Sequence, residues 1–284
     1  MPTIELDGVA LYCEEAGRGT PLVLVHEFAG DMRAWEPQMR YFARRHRVIA
    51  YNQRGYPPSQ VPDADAAYSQ DILIEDLVGL LDALEIERAH VAGLATGGNI
   101  ALNFGIRHPQ RTRSLVVAGA GAGTIEREAW LAAARTFAED IERDGAEGIV
   151  ANVAQAPQRL AFAAKDPRGY AEFVARMRTL SPRGCAKILR NVLMTRPPVF
   201  DLEAGIRALV PPVLVMVGDQ DAPALEPARF IARHAPRAGL VVLPRCGHTL
   251  NSEEPDAFNR HVADFLAAVD SGRWCGEALP QPAA

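Results

Sequence analysis

The stretch RAHVAGLATGGNIALNF, residues 88–104, decides the fold. Its first six residues read as a short buried strand, and its last residues have the period of a helix. Gly93 and Gly97 stand two positions before and two positions after Ala95. Small residues at these positions are what a sharp strand-to-helix turn needs when its central residue is strained. The stretch therefore predicts a strand, a tight turn centred on Ala95, and a helix.

Working outward, short apolar runs alternate with longer segments of helical period. The runs are PLVLVH (21–26), HRVIAY (46–51), RAHVAG (88–93), RSLVVAG (113–119), PPVLVMVG (211–218) and AGLVVLP (238–244). Such near-continuous apolar runs are typical of parallel strands buried on both faces. TIEL and VALYCEE precede them and predict an antiparallel hairpin that turns at Asp7-Gly8. We therefore predict an α/β fold with a mostly parallel eight-stranded sheet flanked by helices.

The alternation stops between residues 120 and 208, where helical patterns occur without a convincing strand. An insertion between two strands of one sheet is most simply a helical lid over the sheet's carboxyl edge, where ligands bind in open α/β folds. We assign residues 1–119 and 209–272 to the core, 120–208 to the lid and 273–284 to a flexible tail.

The turn has the pattern G-x-S-x-G with Ala95 in place of serine, and the chain resembles the α/β-hydrolase superfamily over residues 3–270, its lid-bearing serine hydrolases in particular. The resemblance implies that Ala95 occupies the nucleophile position, where a methyl group cannot react. Three interpretations remain: an engineered inactive variant, a natural non-catalytic relative, or a coincidental glycine-rich turn. We favour the first, because a lineage without the chemistry would have little reason to keep a matching acid and histidine.

Those two residues follow the last strands in the order that the superfamily uses. Asp221 follows PPVLVMVG in the pattern G-x-x-D, and His248 follows AGLVVLP beside Gly247. The resemblance implies that Asp221 orients His248, the general base. Asp221 as a helix cap and His248 as a surface-loop residue are the alternatives, and Asp219 is a weaker candidate for the acid.

His26-Glu27-Phe28 follows the first parallel strand and matches the superfamily's His-Gly-x oxyanion loop. The resemblance implies that the backbone N–H groups of Phe28 and Thr96 hold the oxyanion. Glu27 departs from the usual glycine. We expect its carboxylate to face solvent, because a negative charge beside an oxyanion hole opposes catalysis; the alternative is a substrate-binding Glu27 that reaches into the pocket.

The sequence of the predicted lid, residues 120–208, gives weaker indications of function. Of its aromatic residues, Trp130 and Phe162 are the favoured substrate contacts, although such stripes are more often packing faces. Residues 159–196 carry a surplus of seven positive charges. This surplus could steer an ester that bears a free carboxylate, but solvated helix faces explain such charges more often.

The function expected from the motifs is cleavage of a small-molecule carboxylic ester through an acyl-enzyme, with Ala95 making the present chain inactive. A C–C bond, amide or lactone hydrolase of the same fold, and a non-catalytic ligand-binding receptor, remain alternatives. No cofactor and no metal are expected. A net charge of −5 and the lack of a long apolar stretch argue against nucleic-acid and membrane partners, so we expect a cytoplasmic protein whose homo-oligomerisation is left open.

Overall fold

The computed structural model describes residues 3–274, which form an eight-stranded sheet flanked by helices. The order of strands is β1-β2-β4-β3-β5-β6-β7-β8, and all pairs from β4 to β8 are parallel. The strands are β1 (Thr3–Leu6), β2 (Val9–Ala16), β3 (Thr20–Val25), β4 (His46–Tyr51), β5 (Ala89–Leu94), β6 (Thr112–Ala118), β7 (Val213–Gly218) and β8 (Ala238–Leu243). The predicted fold class is confirmed.

The N-terminal hairpin turns where the sequence indicates. Leu6 pairs with Val9, and the two residues between them, Asp7 and Gly8, have φ of 48° and 77°. Two consecutive positive φ values are what a two-residue type I′ turn requires, and Asp-Gly tolerates them. β2 then pairs antiparallel with β4, so the hairpin covers one edge of the parallel strands.

Apolar side chains fill both faces of the sheet, which explains the near-continuous apolar runs. Val23, Val25 and Val91 belong to one core cluster, whereas Leu22 and Leu24 belong to a second. The alternation along β3 follows the two-residue period of a strand. Residues of the helices at 70–83, 96–107 and 222–234 pack in the first cluster, and those of the helices at 36–42 and 255–270 pack in the second.

From β3 onward, helices alternate with the strands except between β6 and β7, where several helices follow one another. The helices are α1 (Glu36–Phe42), α2 (Gln70–Ala83), α3 (Thr96–Arg107), α4 (Arg127–Asp144), α5 (Ala146–Val153), α6 (Leu160–Lys165), α7 (Pro167–Met177), α8 (Pro182–Ile188), α9 (Glu203–Arg207), α10 (Ala222–His234), α11 (Leu250–Glu253) and α12 (Pro255–Asp270). Six of them, α4 to α9, lie between β6 and β7. We call residues 120–208 the helical insert.

The described chain ends packed against the core. The indole N–H of Trp274 donates to the carbonyl of Arg237 at 3.0 Å, and its ring meets Phe265 edge-on at 4.6 Å. Trp274 of the predicted tail thus contacts the folded chain, and the rest of that prediction, residues 275–284, lies outside the described residues. Within residues 3–274, no helix has both the length and the apolar character needed to cross a bilayer.

Candidate active site

Ala95 occupies a strained turn between β5 and α3. Its φ of 51° and ψ of −108° are unusual for a residue with a Cβ. A Cβ at Gly97 would lie 2.1 Å from the carbonyl oxygen of Val25, and a Cβ at Gly93 would lie 2.1 Å from that of Gly97. Both glycines are therefore sterically required, and the turn holds Ala95 at the start of α3.

Asp221 and His248 meet beyond the carboxyl ends of β7 and β8. Asp221 Oδ2 lies 2.7 Å from His248 Nδ1, and both residues are buried. Asp221 stands at the N-cap position of α10, yet its side chain makes no capping hydrogen bond. Asp219 Oδ1 instead accepts the backbone N–H of Cys246 at 3.1 Å. The geometry thus pairs Asp221, and not Asp219, with the histidine.

The helical insert also holds the loop that carries His248. The backbone N–H of His248 donates to the carbonyl of Gln158 at 2.8 Å. Arg159 follows, and its Nη1 donates to Thr249 Oγ1 at 2.9 Å. A Cβ at Gly247 would lie 2.1 Å from the same carbonyl of Gln158, so the two segments approach closely only because residue 247 is glycine. The orientation of His248 therefore depends on the insert.

Glu27 does not face solvent, and that expectation is wrong. Its side chain is 1% exposed and lies in a buried ion pair, with Oε2 2.5 Å from Arg159 Nη2. The same Oε2 lies 3.9 Å from His248 Nε2. A buried carboxylate needs a partner, and Arg159 supplies one from the insert. The alternative interpretation, in which Glu27 reaches into the pocket, describes its position.

The rest of the loop after β3 is anchored to the core. His26 is fully buried, its Nε2 accepts the backbone N–H of Gln53 at 3.1 Å, and burial lowers its pKa. A neutral, hydrogen-bonded His26 therefore anchors the loop. Phe28 comes two residues later, and its ring meets Phe137 of α4 edge-on at 5.7 Å.

A cavity of about 360 Å³ joins these residues. Its lining includes the predicted site residues Glu27, Phe28, Ala95, Thr96, Trp130, Asp221 and His248. Thr96 is the first residue of α3, where a backbone N–H has no acceptor within the helix. On the side of the insert, small and apolar residues make up most of the lining.

Phe162 is not among the residues that line this cavity. It is 2% exposed and packs against Tyr170 and Phe173 within the insert, with ring centroids 5.6 and 6.0 Å away. Its position gives the prediction of a substrate contact no support, because the helical spacing identified a face of α6 that packs within the insert.

The loop after β4 is structural. Arg54 forms a buried two-bond ion pair with Asp76 of α2, at 2.6 and 2.7 Å. Tyr56 is also buried, and its hydroxyl accepts the N–H of Ala29 at 3.4 Å. These contacts hold the loop after β3 against the loop after β4, and neither side chain lines the cavity.

Arg159 is the residue that sequence reasoning missed, because it counted only toward the positive surplus of residues 159–196. An isolated arginine in a polar stretch carries no sign of burial. The one available signal was Glu27, which stands where the superfamily usually has glycine. If the loop is buried, the carboxylate of Glu27 needs a cationic partner.

The positive surplus of residues 159–196 is largely paired with carboxylates outside that segment. Seven of the nine cations of the segment lie within salt-bridge distance of a carboxylate. The pairs are Arg159–Glu27, Lys165–Glu253 and Glu254, Arg168–Glu172, Arg178–Glu147, Arg183–Asp63, Lys187–Asp65 and Arg190–Glu142. Only Arg159 among the nine lines the cavity, and it is already paired.

Across residues 3–274, no group of three or more His, Cys, Asp or Glu side chains is arranged to bind a metal.

Known proteins resemble the chain over nearly its whole length. A family model described as "alpha/beta hydrolase fold" matches residues 20–255. The 2-hydroxymuconate semialdehyde hydrolase of Pseudomonas sp. (strain CF600) is 33% identical over 276 residues, which cover 93% of each chain. A thermophilic esterase from Thermogutta terrifontis superposes with a TM-score of 0.83 at 28% identity, over 94% of this chain and 97% of the esterase. An enol-lactonase from Burkholderia xenovorans LB400 has the same TM-score at 24% identity, over 94% and 100%, and shares the fold.

Proposed function

Because the chain belongs to the α/β-hydrolase family, we propose that its site is that of a serine hydrolase of small carboxylic esters, inactive as it stands because Ala95 replaces the nucleophile. The observation that carries the proposal is the position of Ala95. The strained residue at the start of α3 lines the same cavity as the paired Asp221 and His248. Strained backbone at such a place is typical of a functional residue, and alanine has no functional group to use it.

With serine at position 95, the reaction follows from the arrangement. His248 takes the serine proton as the hydroxyl attacks the ester carbonyl, and Asp221 stabilises the imidazolium. The backbone N–H groups of Phe28 and Thr96 stabilise the oxyanion. His248 then protonates the leaving alcohol, and a water molecule activated by the same imidazole releases the acid. None of these steps requires a metal or cofactor.

We propose further that the natural protein has serine at this position and that Ala95 is an engineered replacement. Support comes from the intact Asp221–His248 pair and from the two sterically required glycines around Ala95. Without a nucleophile neither arrangement has an evident use. A natural receptor that binds its ligand in the same cavity is the alternative, and sequencing the natural gene at this codon decides between them.

The charges of the cavity favour an uncharged ester. Its charged lining is Glu27, Arg159 and Asp221, together with His248, and the arginine is already bound to Glu27. An ester that also bears a free carboxylate would therefore place that group near two buried acids, Glu27 and Asp221, with no unpaired cation among the lining residues.

The test is the Ala95→Ser variant on a panel of aryl and alkyl esters, with Ala95→Ser/His248→Ala as the matched control. We expect a burst of leaving group equal to the enzyme concentration, followed by turnover, in the first variant only. An Ala95→Ser protein that folds and binds the esters but shows neither burst nor turnover would refute the proposal.

A second candidate reaction is cleavage of a C–C bond beside a carbonyl. It is favoured by the 33% identity to a 2-hydroxymuconate semialdehyde hydrolase. Amide and lactone hydrolysis use the same residues and differ in what the cavity positions. The same Ala95→Ser protein should be assayed on a dienoate ketone, an amide and a lactone; turnover confined to one of them would replace the ester proposal.

A further inference from the structure

Glu27 occupies a place that should interfere with the base. Its Oε2 lies 3.9 Å from His248 Nε2, the nitrogen that must accept the proton of a serine at position 95. The other ring nitrogen is already beside Asp221. A rotation that moved the carboxylate by about 1 Å would bring it within hydrogen-bond distance of Nε2. Glu27 would then compete with the serine.

Arg159 prevents this movement by binding both carboxylate oxygens. Its Nη2 lies 2.5 Å from Oε2 and its Nη1 lies 3.4 Å from Oε1. The guanidinium is itself fixed, because Nη1 also donates to Thr249 Oγ1 and the group lies 5.0 Å from the centroid of the Phe173 ring. Glu27 is 1% exposed and Arg159 5%, so water offers the carboxylate little alternative solvation.

We propose that Arg159 is a positioning residue that holds the Glu27 carboxylate away from His248 Nε2 and so keeps that nitrogen free for the nucleophile. The inference rests on the function proposed above for a serine at position 95. It explains how a carboxylate can stand beside the base without blocking it. It also makes the base depend on the helical insert, since Arg159 precedes α6 and Glu27 follows β3.

The charges around His248 set the expected consequence. Asp221 faces Nδ1, Glu27 faces Nε2, and Arg159 is the cation bound to Glu27. Glu253 of α11, which accepts the N–H of Gly247, pairs with Lys165 of α6. Without the guanidinium, the nearest cationic partner for Glu27 is a protonated His248. The ring would then keep its proton to higher pH and serve as base less often.

The kinetic test compares Arg159→Gln and Glu27→Gln/Arg159→Gln in the Ala95→Ser background. We expect Arg159→Gln to lower kcat about tenfold or more with little change in KM, and to move the acidic limb of the pH profile upward by about one unit. The double variant, which has no carboxylate to restrain, should recover most of the loss. A double variant as impaired as Arg159→Gln, or a loss confined to KM, overturns the proposal.

A second measurement needs no activity and uses the Ala95 chain itself. The ¹⁵N chemical shifts of the His248 ring are recorded as a function of pH. In Arg159→Gln the midpoint of their change should lie at higher pH than in the unsubstituted chain. In the double variant the midpoint should return toward its original pH. If Arg159→Gln does not fold, Arg159→Lys takes its place, and the expected shift is smaller because one ammonium cannot bind both oxygens. Unchanged His248 titration in folded variants overturns the inference even if the ester proposal stands, and the expected shift supports it even if no ester is cleaved.

Discussion

Two aspartates that stand two residues apart have different partners. Asp221 lies against His248, whereas Asp219 accepts a backbone N–H from the loop before that histidine. We expect Asp221→Asn, in the Ala95→Ser background, to lower kcat about a thousandfold or more, because an amide favours the wrong tautomer of the imidazole. Initial rates on the ester that is turned over fastest measure the effect.

Asp219→Asn is the matched control for this prediction. The oxygen of the new amide can still accept the N–H of Cys246, so kcat should fall by less than about threefold. Equal losses in the two variants would contradict the assignment of Asp221 as the partner of the base.

At the scale of an element, the strand, turn and helix around Ala95 store strain in the backbone. Ala95 has a φ of 51°, where a Cβ is unfavourable and glycine is not. We expect Ala95→Gly to raise the free energy of unfolding by about 1 kcal/mol, since relief of strain exceeds the entropy that glycine adds to the unfolded chain. Denaturation by urea, monitored by circular dichroism, measures the change.

Ala101→Gly, six residues later in the interior of α3, is the matched control. It should lower the free energy of unfolding by about 1 kcal/mol or more, because a helix interior disfavours glycine and the buried methyl group of Ala101 is lost as well. If Ala95→Gly is destabilising as well, the turn does not carry strain.

Elements could be predicted from the sequence where the signal is local. Hydrophobic periodicity and turn residues predicted the sheet and the hairpin, because strands buried on both faces and an Asp-Gly turn have sequence patterns only a few residues long. The partner of Glu27 lies 132 positions away, so no local pattern could reveal that its carboxylate is buried. The contacts of Phe162 could not be predicted for a related reason, because helical spacing gives an apolar face but not the surface that the face covers.

At the scale of the whole molecule, the charge balance of one segment does not predict the electrostatic field around the folded protein. The surplus of seven positive charges over residues 159–196 suggests an attraction for anions when it is counted alone. In the folded protein most of these cations face carboxylates, several of them from the core, such as Asp63 and Asp65 beside Arg183 and Lys187. Because paired charges of opposite sign largely cancel at a distance, we expect little long-range steering of substrate.

This expectation can be tested with two esters of equal size, one neutral and one bearing a free carboxylate, on the Ala95→Ser protein. Raising sodium chloride from about 0.02 M to about 0.2 M shortens the screening length from roughly 20 Å to below 10 Å. We expect kcat/KM of the carboxylate ester to change by less than about threefold, as for the neutral ester, because no net positive field is left to screen. A fall of about tenfold for the carboxylate ester alone would mean that Arg176 and Arg196, which have no carboxylate partner among residues 3–274, attract the substrate despite the pairing of the others.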